Sequence, residues 1–298
     1  MNRLILFTFL MSSGFLAAAD VPEAKKAFAT FVENQKNDNP RAIEQFAPDC
    51  RVTMVESDGK MNFEHQVPFN EFKKVLEVAS KRKEGTDETY DEVVFKDQGE
   101  SVSVNGTVHY SDPDFSGPFS LVLAKEGREE GLRITDFKIT IYSPVTRIEG
   151  HDLYAFSMPG TWKQEKVAKI DLGDGKTLFP VNATSEIGAI SGLAFESKNQ
   201  DLAALPLKNF PMMAAGPILK KLQQQGATEA GQKIEALEEG DEDRIVYSFA
   251  LKNPAGERMG VSGIVIRTKN RIYTIQRMGA GGEGNQFWME VAKSFQEL

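Results

Sequence analysis

Three histidines are the residues of this chain best suited to move a proton near neutral pH, since an unperturbed imidazole has a pKa of about 6.5. His65 lies in an alternating segment on the same side as Met61 and Phe63, so it would share a strand face with two apolar side chains. In an apolar cavity such a histidine is a candidate general base. The other interpretation is a histidine that only completes a sheet. His109 alternates opposite to its apolar neighbours and is expected to face solvent.

Other patterns that could hold a metal or a cofactor are incomplete. His151 has no further histidine or cysteine at ligand spacing, so we expect no metal site. The glycine-rich segment 279–284 lies too close to Leu298 to leave room for the returning strand of a dinucleotide-binding unit, and we expect no cofactor. The acidic segment 238–243 lacks the ligand spacing of a calcium loop and predicts a solvated hairpin tip.

Cys50 is the only cysteine, so an intramolecular disulfide is excluded. It opens a strand-like segment, which predicts a small buried side chain. An intermolecular disulfide is the alternative.

Length and charge narrow the class of protein. The chain has 298 residues, which suggests two domains at about 100–200 residues each. The formal net charge is −8, and nothing supplies the positive field that binding to a phosphate backbone needs. Nucleic acid is therefore not expected as a partner.

The first nineteen residues have the three parts of a secretory signal peptide. Arg3 is their only charge, an apolar segment begins at Leu4, and small residues end at Ala19. We expect cleavage before Asp20 and a periplasmic or extracellular location. An uncleaved anchor is the alternative, although the segment is shorter than the ~20 residues of a spanning helix, and no later segment approaches that length.

Residues 20–143 predict one α+β domain. Apolar residues recur at helical spacing from Pro22 and again from Phe69. Asp58-Gly59 is a dipeptide typical of a tight hairpin turn. Four segments in which apolar and polar residues alternate follow, and they are predicted as the last strands of the domain. Early helices and late strands indicate a curved antiparallel sheet packed against its helices.

The order of these elements resembles the nuclear transport factor 2-like superfamily, which includes SnoaL-like proteins. The resemblance rests on the step Phe46-Ala47-Pro48-Asp49 into the first strand, the Asp58-Gly59 turn and the Pro68-Phe69 helix, and covers about residues 21–143. It implies a cone-shaped sheet around an apolar cavity. Some members use the cavity as an isomerase, cyclase or dehydratase site, and many only bind a ligand in it.

The resemblance also implies where a catalytic base would lie. Isomerase members carry a carboxylate on the first strand, and that position falls here at Thr53 or Met54, neither of which can take a proton from carbon. This departure weakens the enzyme hypothesis and leaves His65 as the candidate base. The residues expected to line the pocket are Met54, Met61, Phe63 and His65.

The second half follows a predicted linker. Residues 144–151 have no clear period and contain proline and glycine. Residues 152–298 alternate as strands with one helix midway and one at the end, which predicts an α/β/α sandwich on an antiparallel sheet. The segments Phe156–Trp162 and Phe287–Phe295 resemble PsbP-like domains, which implies a module that contacts other proteins.

These observations predict an exported, two-domain, non-enzymatic binding protein. The first domain would offer an apolar pocket for a small ligand or the contact face of a homodimer, and the second a surface for a protein partner. The alternative is a SnoaL-like isomerase or hydrolase that uses His65 in a cavity. A structural scaffold in an envelope assembly is a third reading.

Overall fold

A computed structural model describes residues 20–37, 40–82, 88–111, 113–125, 131–185, 188–256, 258–279 and 284–298. The predicted signal peptide, residues 1–19, lies outside these ranges.

Four α-helices are present among the described residues. They are α1 (Val21–Lys36), α2 (Phe69–Arg82), α3 (Phe210–Gln224) and α4 (Asn285–Ser294), and short 3₁₀ helices span Pro40–Gln45, Leu202–Ala204 and Leu207–Asn209. None of the helices in the described ranges has the length and apolar character needed to cross a lipid bilayer.

The described part of the first half has six strands, β1 (Phe46–Ser57), β2 (Asn62–Val67), β3 (Thr89–Asp97), β4 (Ser101–Ser111), β5 (Asp114–Lys125) and β6 (Leu132–Tyr142). They form one sheet in the order β2-β1-β6-β5-β4-β3. The prediction of an α+β domain with a single sheet is confirmed. The sheet is mixed, which corrects the antiparallel prediction. Strands β1 and β6, the first and the last of this half along the chain, pair in parallel. Register shifts in β1, β3 and β6 introduce bulges, which bend and twist a sheet.

Helix α1 packs onto this sheet through phenylalanines at helical spacing. The Phe28 ring stacks on Phe119 with 5.7 Å between centroids, and the Phe31 ring meets Phe137 edge-on at 5.8 Å. Both helical phenylalanines are buried. The amphipathic pattern read from the sequence therefore places the apolar face of α1 on the first core.

Eleven strands are present among the described residues of the second half. They are β7 (Val145–Gly150), β8 (Tyr154–Pro159), β9 (Lys163–Glu165), β10 (Ile170–Gly173), β11 (Lys176–Ser185), β12 (Gly188–Ser197), β13 (Thr228–Ala236), β14 (Arg244–Lys252), β15 (Arg258–Arg267), β16 (Ile272–Gly279) and β17 (Gln296–Glu297). Eight of them form an antiparallel sheet in the order β10-β11-β12-β16-β15-β14-β13, with β9 beside β11.

The two faces of this sheet carry different cores. The neighbouring residues Val246 and Tyr247 point to opposite faces, as successive strand residues must. Val246 packs in the cluster that contains Phe287 and Trp288 of α4, whereas Tyr247 packs in the cluster that contains Leu219 and other residues of α3. Helices α3 and α4 therefore cover opposite faces.

The segment predicted as an irregular linker, residues 144–151, is instead mostly strand β7. It pairs with β8, and β17 completes a three-stranded sheet. Gly150, the glycine that suggested an irregular segment, allows close packing instead, because a Cβ at this position would lie 2.3 Å from the Tyr154 ring. Ile148 is fully buried in the same core as α4.

A direct contact joins the two halves at β2 and α4. Phe63 of β2 is fully buried in the second-half core, with its ring 5.5 Å from the Phe287 ring. Met61 packs against the same core, and the Ser143 N–H donates to the Ser57 carbonyl at 2.9 Å. One side chain of the first half is thus an integral part of the core of the second.

Candidate functional site

The first half carries a groove of about 290 Å³ between α1 and the β5–β6 region of the sheet. Its walls are formed by Glu23, Lys26, Ala27, Phe28, Thr30, Phe31, Gln45, Leu121, Leu123, Gly131, Leu132 and Ile134. We call this the α1 groove. Ligand sites are typically concave, apolar and served by a few polar groups, and the α1 groove has this composition.

Gln45 is the polar group inside the α1 groove. Its Oε1 is buried, and no donor among the described residues forms a hydrogen bond with it. An amide oxygen left without a donor costs about 1–3 kcal/mol of desolvation free energy. Because Oε1 has almost no accessible surface, a ligand in the groove reaches it only when the Gln45 side chain turns towards the groove. An N–H or O–H group brought to the atom would then recover part of that cost.

The position of Gln45 is fixed by its neighbours. It ends the 3₁₀ helix Pro40–Gln45 immediately before β1. The Arg133 guanidinium of β6 donates to the Glu44 carbonyl at 2.9 Å, and the Phe46 ring packs on Phe31 of α1 at 5.8 Å. The amide is therefore held between the sheet and α1.

Charges lie at the edge of the α1 groove. Glu23 and Lys26 of α1 both line it, and the Lys125 ammonium lies 3.7 Å from the Glu23 carboxylate. This pair brings the exposed end of β5 towards α1. The polar edge and apolar interior suit a neutral ligand more than a charged one.

The four residues predicted to line a pocket do not come together in this groove. Met54 packs against the first-half core, whereas Met61 and Phe63 pack in the second-half core. His65 faces the Phe287 ring of α4, with 6.3 Å between centroids. The prediction for Phe63 is corrected, because a side chain with no exposed surface in a packed core cannot wall an open pocket.

His65 has a carboxylate beside it. Its Nδ1 lies 3.8 Å from Oε2 of Glu56, and Ser143 Oγ donates to the other Glu56 oxygen at 3.3 Å. Nucleophilic catalysis requires the base to contact the hydroxyl, and here the carboxylate lies between hydroxyl and imidazole. The structure thus places His65 at the contact between the halves, and its catalytic role stays a prediction.

His109 lies on the outer face of the first sheet, and 39% of its side chain is exposed. Its Nε2 is 3.2 Å from Asp91 Oδ2, and its Nδ1 forms a hydrogen bond with Ser116 Oγ. The order of groups matches a hydrolytic triad, but catalysis by such a triad depends on a water-excluding site with donors for an oxyanion. Asp91 and Ser116 are exposed, so we interpret the three residues as a surface network.

A buried polar cluster between α1 and β3 escaped the sequence analysis. The Tyr90 hydroxyl lies 2.7 Å from Gln35 Oε1 and 3.1 Å from Glu88 Oε2. Burial raises the pKa of the Glu88 carboxyl, although the hydrogen bond from Tyr90 opposes the shift. Burial, with the nearby Glu88 charge, also raises the pKa of Tyr90 and of Tyr110. Both phenols stay protonated: Tyr90 ties α1 to the sheet, and Tyr110 donates to the Thr140 carbonyl of β6 at 3.0 Å.

The acidic segment 238–243 forms the connection between β13 and β14, as predicted. Asp241 lies 2.6 Å from Arg244, and Asp243 lies 2.7 Å from Arg267. These arginines form ion pairs with the carboxylates that a cation would need as ligands. Across the described residues, no cluster of three or more histidine, cysteine, aspartate or glutamate side chains is arranged to hold a metal ion.

Cys50 is buried, as predicted, and burial raises the pKa of its thiol from 9.0 to about 12, with the Asp136 carboxylate adding to the shift. The thiolate is the reactive form. At pH 8 a thiol with a pKa of about 12 has about a thousandfold smaller thiolate fraction than a thiol with a pKa of 9.0. A more basic thiolate is also a stronger nucleophile, which offsets part of this loss in reaction rate. We expect reaction with a disulfide reagent at least about fiftyfold slower in the folded chain than in the same chain in urea. Equal rates would contradict this burial.

Comparisons with known proteins find the same two resemblances among solved structures. No protein-family model matches the chain, and no curated protein matches it. A candidate polyketide cyclase from Sinorhizobium meliloti is 18% identical and covers 38% of this chain and 92% of its own, with a TM-score of 0.26. A de novo designed NTF2-fold protein is 13% identical and covers 42% of this chain and 88% of its own, with a TM-score of 0.27.

The PsbP protein (CyanoP) from the cyanobacterium Synechocystis is 14% identical, covering 52% of this chain and 94% of its own, with a TM-score of 0.32. The resemblance to NTF2-like and PsbP-like proteins expected from the sequence is thus confirmed as a partial likeness in fold. The site has to be argued from its own geometry.

Proposed function

We propose that this chain is an exported, non-enzymatic binding protein whose first half holds a small, neutral, largely apolar ligand in the α1 groove. The observation that carries the proposal is the buried Gln45 oxygen, which lacks a donor among the described residues and belongs to the lining of a largely apolar groove. The groove volume of about 290 Å³ lies at the lower end of ligand sites, which suits a molecule of about two fused rings.

The ligand chemistry follows from what the groove offers. Ala27, Phe28 and Leu132 supply apolar surface, which favours the ligand body by about 25 cal/mol per Å² removed from water. Gln45 supplies a hydrogen-bond acceptor, so the ligand carries one N–H or O–H group. Export is supported by the signal-peptide pattern of residues 1–19.

The second half, proposed as an α/β/α sandwich, would contact a protein partner. Support comes from exposed apolar side chains on two of its elements: Met212 and Met213 on α3, and Ile170 and Leu172 on β10 are each about half exposed. Such surfaces are typical of contact sites.

The ligand proposal is tested with two probes that differ in one proton donor. We expect the full chain to bind 2-naphthol about fivefold more tightly than 2-methoxynaphthalene, because one neutral hydrogen bond contributes about 1 kcal/mol. In Gln45→Leu this preference should disappear while binding of the methoxy compound is retained. Isothermal titration calorimetry measures both affinities.

Two further variants make the test decisive. Gln232→Leu changes an exposed glutamine on β13 and should leave the preference intact. Ala27→Leu places extra volume in the groove and should weaken both probes. If neither probe binds the wild-type chain, or if Gln45→Leu keeps the preference, the α1 groove is not the ligand site.

A further inference from the structure

A second groove, of about 440 Å³, lies in the second half between α3 and β9. Its floor is formed by residues of β11 and β12 that face α3, including Ala189 and Ser191, and one wall is formed by Ile218 and Leu222 of α3. We call it the α3 groove. It shares no residue with the α1 groove and is independent of the function proposed above.

The α3 groove has one charge of each sign on its walls. Lys221 lies on α3 and Glu165 lies on β9. Neither side chain forms an ion pair or a hydrogen bond with the described residues, whereas several other charged groups around the second sheet are paired. An unpaired cation and an unpaired anion therefore face the same apolar space.

A hydroxyl between these charges is held ready to donate. The Gln276 side chain is buried, its Oε1 accepts from the Tyr247 hydroxyl at 2.8 Å, and its Nε2 donates to Ser191 Oγ at 2.9 Å. Because Ser191 Oγ accepts this bond, its own proton stays available to an acceptor in the groove. The Gln276 amide thus positions Ser191 as a donor.

The spacing of the walls sets the length of a ligand. Strand β9 lies beyond β11, and α3 packs over β16 on the far side of β12. Three interstrand spacings separate β9 from β16, about 14 Å at about 4.8 Å each. An extended peptide of three residues spans about 10 Å, and the Lys221 and Glu165 side chains cover the remainder.

We propose that the α3 groove binds a short peptide of about three residues with free amino and carboxyl termini and an apolar central side chain. Glu165 takes the ammonium group, Lys221 takes the carboxylate, and Ser191 donates to a peptide carbonyl. The apolar side chain lies against Ile218 of α3 and Met278 of β16.

The experiment measures the binding of three peptide probes to the wild-type chain and to two variants. The probes are Ala-Leu-Ala, its N-acetylated form and its C-terminal amide, each titrated into the full chain by calorimetry. We expect Lys221→Met to weaken the free peptide about fivefold and to leave the amide unaffected, and Glu165→Gln to weaken the free peptide similarly and to leave the acetylated form unaffected. Both side chains are exposed, so the variants should fold as the wild type does.

Matched controls lie close by. Lys220→Met removes a neighbouring exposed lysine that does not line the groove, and Glu229→Gln removes an exposed glutamate of β13; both should bind as the wild type does. Absence of binding by the free peptide, or equal losses for free and amidated peptide in Lys221→Met, would overturn the proposal. Binding of naphthol in the α1 groove should be unchanged in all four variants, so the two sites succeed or fail separately.

Discussion

Truncation of Phe63 to alanine is expected to lower the free energy of unfolding of the whole chain by about 3–5 kcal/mol, the usual cost of removing a buried phenylalanine ring. Phe63 lies on β2 of the first half, yet it has no exposed surface and packs against Phe287 of α4. The cavity would open inside the core of the second half. A substitution in one half should therefore destabilise the other.

The two tryptophans make this coupling measurable. Trp162 and Trp288 both lie in the second-half core, so their fluorescence reports on that half during urea unfolding. In Phe63→Ala the midpoint of this transition should fall. Val94→Ala, at a first-half side chain that is 61% exposed, should change stability by less than about 0.5 kcal/mol. A tryptophan transition that does not move in Phe63→Ala would show that the halves are energetically separate.

The second large effect is expected at Gly263 on β15, where alanine should cost about 3 kcal/mol. A Cβ at this position would lie 2.6 Å from the Ile275 carbonyl oxygen and 2.5 Å from the Tyr247 ring. The carbonyl belongs to the β15–β16 ladder, and the Tyr247 hydroxyl is bonded to Gln276. Neither neighbour can withdraw without breaking hydrogen bonds in the middle of the sheet.

Gly279 provides the matched control, because it lies in the same sheet and a Cβ there would meet nothing within 4 Å. Gly279→Ala should leave stability unchanged or raise it by up to about 1 kcal/mol through the lower entropy of the unfolded chain. Thermal unfolding of both variants gives the comparison. Similar melting temperatures for the two would mean that the sheet relaxes around the new methyl group at Gly263.

Much of the local structure follows from the sequence. Asp58-Gly59 forms the predicted turn, with Gly59 at a φ of +86° and Asp58 Oδ1 accepting from the Lys60 and Met61 N–H groups. The strands predicted for the second half are present, among them β14 over Arg244–Lys252. Such features depend on residues a few positions apart, so short-range chemistry is sufficient to predict them.

The sites could not be predicted in the same way. Gln45 ends a short helix, and no local signal distinguishes it from any other surface glutamine until α1 and β6 close around it. Lys221 and Glu165 belong to elements far apart along the chain and share a groove only because β11 and β12 lie between them. The Tyr90 and Glu88 cluster likewise forms only when Gln35 of α1 reaches it.

The sequence by itself determined most of the helices and strands, the α+β character of the chain and the apolar face of each helix, because periodicity and turn chemistry act within a few residues. Tertiary structure alone decided that Phe63 and His65 face α4 rather than an open cavity, and that residues 145–150 form a strand. Alternation shows that a strand has a buried face and leaves open which element covers it. That choice is made by contacts between residues distant in the chain, and here it moved the proposed ligand site from β2 to the groove beneath α1.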